Sequence, residues 1–262
     1  MAIFDAYIEQ TDRYVEEMRT RGRLVRELSR TSSPADISAT LPFRIGSGAS
    51  PGIVMKSDTF LELGSPAAGS CAFALSSDHP ALIRDGRVRL IGPDVTEAPL
   101  ATLSFGQVIM AAGETVADED YQALVQSQYI GDQVEGYMVK SAPGHIWTRV
   151  SRDVAQKGFC FELLGMALIT LVKARLPNVT AAEVLFVTSG KADVQSLGEI
   201  GARVNDLGRE IRARLWQGRG IDLAGCAFGG HCGTCEDKSV CQEINNITLS
   251  RRSMSQTAGS MV

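Results

Sequence analysis

The stretch HIWTRVSRDVAQKGFCFELLGMALITLVKARLPNVTAAEVLFVT, residues 145–188, decides the fold class because its hydrophobic period changes three times. His145–Val150 predicts a strand. Ser151 then reads as a helix cap ahead of RDVAQKG, its hydroxyl suited to an orphan backbone N–H. Glu162–Arg175 is apolar nearly all round, which predicts a buried helix. Glu183–Thr188 (EVLFVT) is a short, continuous apolar run and predicts a strand. Downstream, Leu197, Ile200, Val204, Leu207, Ile211 and Leu215 form one stripe on a long helix over Asp193–Trp216. Helix and strand alternate here, so the body is expected to be α/β or α+β: a mixed sheet with flanking helices.

Upstream, residues 51–116 are strand-like. Strands are predicted near Gly52–Lys56, Phe60–Leu63, Cys71–Leu75, Val88–Ile91 and Gln107–Ala111, separated by GSPAAGS, IRDGR, IGPDV and AAGE. Residues 118–140 read as a helix opened by three acids, with Gly131 and Gly136 weakening its middle. An N-terminal amphipathic helix is expected over 3–28, from Ile3, Tyr7, Tyr14, Met18, Val25 and Leu28. Residues 29–40 (SRTSSPADISAT) read as a linker. The expected organisation is 1–40 helix and linker, 41–217 α/β domain, 218–250 a small cysteine-rich metal-binding segment, and 251–262 a polar, disordered tail.

Bulk properties narrow the function classes. The chain has 262 residues, 44% hydrophobic and 21% charged, with 26 Lys and Arg against 30 Asp and Glu, a net charge of -4. That balance argues against nucleic-acid binding. The longest apolar run, Leu163–Val172, is about half a bilayer span, so no membrane partner is expected. The N-terminus lacks a basic-then-apolar leader. A cytoplasmic protein is expected, and there clustered cysteines serve metals or redox chemistry more often than structural disulfides.

CAFGGHCGTCEDKSVC, residues 226–241, holds four of the six cysteines at C-x5-C-x2-C-x5-C. A C-x2-C pair brings two thiolates to one centre through a tight turn. Gly229, Gly230 and Gly233 supply the backbone freedom such a wrap needs. Cys226, Cys232, Cys235 and Cys241 therefore read as ligands. Ligand number and compartment favour a [4Fe–4S] cluster, with an all-thiolate zinc site and a Cys232–Cys235 redox pair as alternatives. His231 is expected beside the ligands rather than among them. Cys71 and Cys160 sit in apolar surroundings and read as buried free thiols. His79 falls in a loop reading, and His145 opens a strand.

The ordered set LELGSP (61–66), RDGRVRLIGPDV (84–95), the DEDYQ helix, HIWTRVSRDVAQKGF (145–159) and EVLFVTS (183–189) resembles the middle domain of the carbon monoxide dehydrogenase/acetyl-CoA synthase beta subunit. The resemblance covers roughly residues 58–215, with a cysteine-rich segment after it. It implies one-carbon or acyl-transfer chemistry and a complex with other subunits, among them a corrinoid protein. It also implies a coenzyme A site near Trp147 and Arg149. An indole offers a stacking face and a guanidinium grips phosphate, although an Arg near a Trp on a strand also reads as one inward and one outward residue. The chain departs from the family pattern in three ways. No dehydrogenase-docking domain precedes the resemblance. The cluster cysteines are more closely spaced. No later Cys-x-Cys supplies a square-planar nickel pocket, so nickel is not expected. A docking subunit braced by the cluster or by zinc, and a small electron carrier, stand as rival expectations.

Overall fold

The computed structural model describes residues 2–29, 42–44, 53–129, 134–142 and 144–217. Their helices are α1 (Asp5–Thr20), α2 (Asp118–Ser127), α3 (Arg152–Gln156), α4 (Phe161–Arg175) and α5 (Lys191–Gln217). The strands are β1 (Val25–Ser29), β2 (Thr59–Leu63), β3 (Ser70–Ser77), β4 (Arg87–Ile91), β5 (Thr102–Leu103), β6 (Phe105–Ala112), β7 (Tyr137–Ala142), β8 (His145–Ser151) and β9 (Ala181–Val187). They form a five-stranded sheet, β1-β4-β9-β6-β3, and a four-stranded sheet, β5-β2-β8-β7. Both are mixed: β4 runs parallel to β9 while β6 runs antiparallel to it, and β2 runs parallel to β5 but antiparallel to β8. The expected α/β architecture is the observed one.

The apolar run of β9 is buried at every position, and the packing shows why. Ala182, Val184 and Phe186 join one core cluster with Val88 and Leu90 of β4, Ala72 and Ala74 of β3, and much of α4. Phe161 opens α4 and lies 5.1 Å from Phe186 and 5.7 Å from Phe105, ring centre to ring centre. At Gly165 a Cβ would stand 2.6 Å from Val88, so only glycine lets α4 settle this close to the sheet. The same cluster takes in Leu61, Leu63, Ile146 and Val150, the inward residues of the small sheet. The two sheets thus share one core.

The other face of the large sheet is covered by α5 and α1. A Cβ on Gly201 would meet Phe73 at 2.6 Å, and one on Gly106 would meet Leu197 at 2.9 Å. The Tyr14 hydroxyl of α1 donates to the Asp193 carbonyl of α5 at 2.9 Å. This face also carries charge. Glu183 is 1% exposed, and its Oε1 accepts from Arg89 Nη2 at 2.6 Å while Oε2 meets Arg87 Nη2 at 2.7 Å. Arg89 reaches on to Asp12 of α1 at 2.6 Å. A carboxylate buried this deeply persists because cations and hydrogen bonds replace its water.

Several boundaries differ from the sequence reading. The helix expected over 3–28 stops at Thr20. Gly22 takes φ +74, and the N–H groups of Gly22 and Arg23 bond the carbonyls of Arg19 and Met18, a Schellman stop. Val25 and Leu28 then belong to β1, paired with β4 from Val25↔Ile91 to Ser29↔Arg87. The helix expected over 118–140 ends at Ser127, and β7 follows a turn at Gly136, φ +68. A Cβ on Gly136 would sit 1.9 Å from Val154, so only glycine lets this turn close against α3. Near Gly52–Lys56 no strand is found among the described residues; residues 56–58 form a single 3-10 turn. Ser151 caps as expected, its hydroxyl accepting from Val154 N at 3.3 Å.

Truncating Glu183 to Ala takes from Arg89 its buried partner and leaves it only the half-exposed Asp12. A loss of about 3–5 kcal/mol is expected in urea unfolding, against a change within about 0.5 kcal/mol for Glu17→Ala, whose pair with Arg21 is exposed on both sides.

Candidate functional site on the outer face of the small sheet

Alternation along β8 turns Ile146, Thr148 and Val150 into the core and leaves His145, Trp147 and Arg149 on the outer face. Residues two apart on a strand share a face, so Trp147 and Arg149 are not one inward and one outward. The guanidinium carbon of Arg149 lies 5.5 Å from the centre of the Trp147 ring, a cation–π distance.

A third residue completes the group. The register of β2 against β8 sets Glu62 opposite Arg149. Glu62 Oε1 accepts from Trp147 Nε1 at 3.0 Å and from Arg149 Nε at 3.0 Å. Arg149 Nη1 also donates to the Val54 carbonyl at 3.4 Å. The Arg149 and Glu62 side chains are 17% and 23% exposed, enough for contact with a ligand. The alternation in LELGSP was the only sequence signal for Glu62: Leu61 and Leu63 point inward, so Glu62 must point out. Its partner depends on register, which the sequence did not show.

Apolar side chains border this cluster. Phe60 precedes Glu62 by two on β2 and is 40% exposed; Leu100, 68% exposed, precedes by two the Thr102 that pairs with Glu62. Ile53 and Met55 flank Val54 and are also exposed.

The remaining candidates are dispersed. His145 Nδ1 lies 3.1 Å from the Ser70 carbonyl, and His79 Nδ1 lies 2.9 Å from Asp5 Oδ2. Cys71 is buried against α5, and Cys160 is the N-cap of α4. Burial pushes both thiols up, Cys71 to about 12. Among the described residues no group of three His, Cys, Asp or Glu could hold a metal ion. Cys226, Cys232, Cys235, Cys241 and His231 lie outside the described residues.

The comparison with known families bears on the stretch that builds this face. The family model described as CO dehydrogenase/acetyl-CoA synthase complex beta subunit matches residues 41–194. The chain belongs to this family. The match spans Glu62, Trp147 and Arg149 and ends before the cysteine-rich segment. Among curated relatives, an acetyl-CoA decarbonylase/synthase complex subunit beta 1 from Methanosarcina thermophila is 27% identical over 207 residues, 78% of this chain and 43% of the relative. An acetyl-CoA decarbonylase/synthase complex subunit beta from Methanopyrus kandleri is 30% identical over 154 residues, 58% of this chain and 32% of the relative. This beta-family chain therefore spans less than half the length of either. Those relatives are named as subunits of a complex. No described helix of this family member is long and apolar enough to cross a membrane.

With the Cys71 pKa at about 12, its thiolate fraction at pH 8 is about one in ten thousand, and the thiolate is the reactive form. Iodoacetamide at pH 8 is expected to spare Cys71 in the folded chain and to modify it only after unfolding, read by peptide mass spectrometry.

Proposed function

We propose that this chain acts in one-carbon or acyl-transfer metabolism as a subunit of a multi-subunit complex, and that the outer face of its small sheet binds coenzyme A. The observation that carries the reading is the Trp147–Arg149–Glu62 cluster within the stretch that matches the family. An indole with exposed surface stacks on an adenine ring, and the outer N–H groups of Arg149 meet phosphate oxygens. Stacking, hydrogen bonding and charge are the chemistry these residues supply.

The cysteine segment completes the proposal. Four thiolates within sixteen residues, with one C-x2-C core, suit a [4Fe–4S] cluster in donor type and number. Cys226, Cys232, Cys235 and Cys241 would hold it, with zinc as the alternative metal. Such a cluster supplies electron transfer or Lewis-acid chemistry when bound. A corrinoid protein or another complex subunit is the proposed protein partner, and the cytoplasm the proposed compartment.

A second reading makes the chain a non-catalytic docking or electron-transfer subunit. The exposed Phe60, Leu100, Ile53 and Met55, each within two residues of Glu62 or of a residue paired with the cluster, favour it, since exposed apolar side chains suit protein contact.

Titration calorimetry with coenzyme A separates the readings. Saturable binding is expected, weakened about tenfold or more in Trp147→Ala and in Arg149→Ala, the worth of one charge-assisted contact. No heat at millimolar coenzyme A would leave the docking reading standing alone. Metal analysis of protein purified without oxygen is expected to find about four irons per chain, lost in single Cys→Ser variants of the four ligands. One zinc and no iron would overturn the cluster.

A further inference from the structure

Glu62 holds the indole and the guanidinium with one atom. Its Oε1 takes the Nε1–H of Trp147 and the Nε–H of Arg149, each at 3.0 Å. Without that acceptor both side chains would lose a hydrogen bond that fixes their outer ends, and a ligand would have to order those ends on binding. The carboxylate does this ordering in advance. It is itself held by strand register, opposite Arg149 on β2.

Glu62 also cancels charge. Its carboxylate forms an ion pair with Arg149, so the Trp147–Arg149–Glu62 group itself carries no net charge. Arg149 Nε is used by Glu62 and Nη1 leans on the Val54 carbonyl; among the described residues Nη2 has no partner. A bare phosphate thus meets a neutralised cation with one free edge. A ligand that also carries an aromatic ring gains stacking on Trp147, worth about tenfold or more.

We propose that Glu62 is the positioning residue of this site, and that it selects ligands joining an aromatic ring to phosphate over phosphate alone. The inference rests on the coenzyme A reading for the identity of the ligand, and on the free structure for the role of Glu62.

The test uses the full chain, two variants and two probes. Glu62→Ala removes the acceptor. Glu62→Gln keeps an amide oxygen as acceptor and removes the charge. The chain has two tryptophans, so a Trp216→Phe background leaves the Trp147 indole N–H as a single nitrogen-15 resonance. In Glu62→Ala that resonance is expected to move toward the position of an exposed indole, and coenzyme A affinity to fall about tenfold or more. In Glu62→Gln the resonance should stay bonded, while inorganic pyrophosphate affinity rises about tenfold because the Arg149 charge is no longer offset. An unmoved indole resonance in Glu62→Ala overturns the positioning role. Unchanged pyrophosphate affinity in Glu62→Gln overturns the selection. Wild-type protein that ignores coenzyme A sinks the coenzyme reading, whereas the indole resonance is read without any ligand and judges Glu62 by itself.

Discussion

β9 has no face left for water, and the rest of the described body follows from that. A strand buried at all seven positions needs a layer on each side. Aromatic packing of Phe161, Phe105 and Phe186 brings α4 to one side. The stripe of α5 and the buried face of α1 supply the other. Burial also explains the charge on that second side. Glu183 in the middle of β9 is tolerable only because Arg87 and Arg89 of the parallel neighbour β4 reach its two oxygens.

The small sheet is a different case. It turns its apolar residues into the shared core and sets Trp147, Arg149 and Glu62 on the other face. Trp147, Arg149 and Glu62 meet there, partly buried, through hydrogen bonds and a cation–π contact. A rigid core on one side and an open polar–aromatic face on the other is the arrangement a binding surface requires.

Long-range periodicity read well. The alternation in HIWTRV, the Ser151 cap, the all-apolar α4 and the stripe of α5 all lie where their patterns placed them. Errors fell where two patterns overlapped. Val25 and Leu28 continue a helical spacing from α1, yet edge pairing with β4 claims them once Gly22 has ended the helix. Residues 118–140 opened with three acids in helical style, but β7 takes the end of that run because β8 offers it a hydrogen-bonding edge. Of the site, Trp147 and Arg149 were legible as a pair. Glu62 was not, because a cross-strand partner exists only after register is set.

By itself the sequence determined the fold class, the buried elements and the residue types available for chemistry, because burial writes a period into a single segment of chain. Only the tertiary structure decided which strands pair, which helix ends early, and that one carboxylate on β2 holds both Trp147 and Arg149 of β8. Those outcomes depend on contacts between segments far apart in the chain, and no local period encodes them.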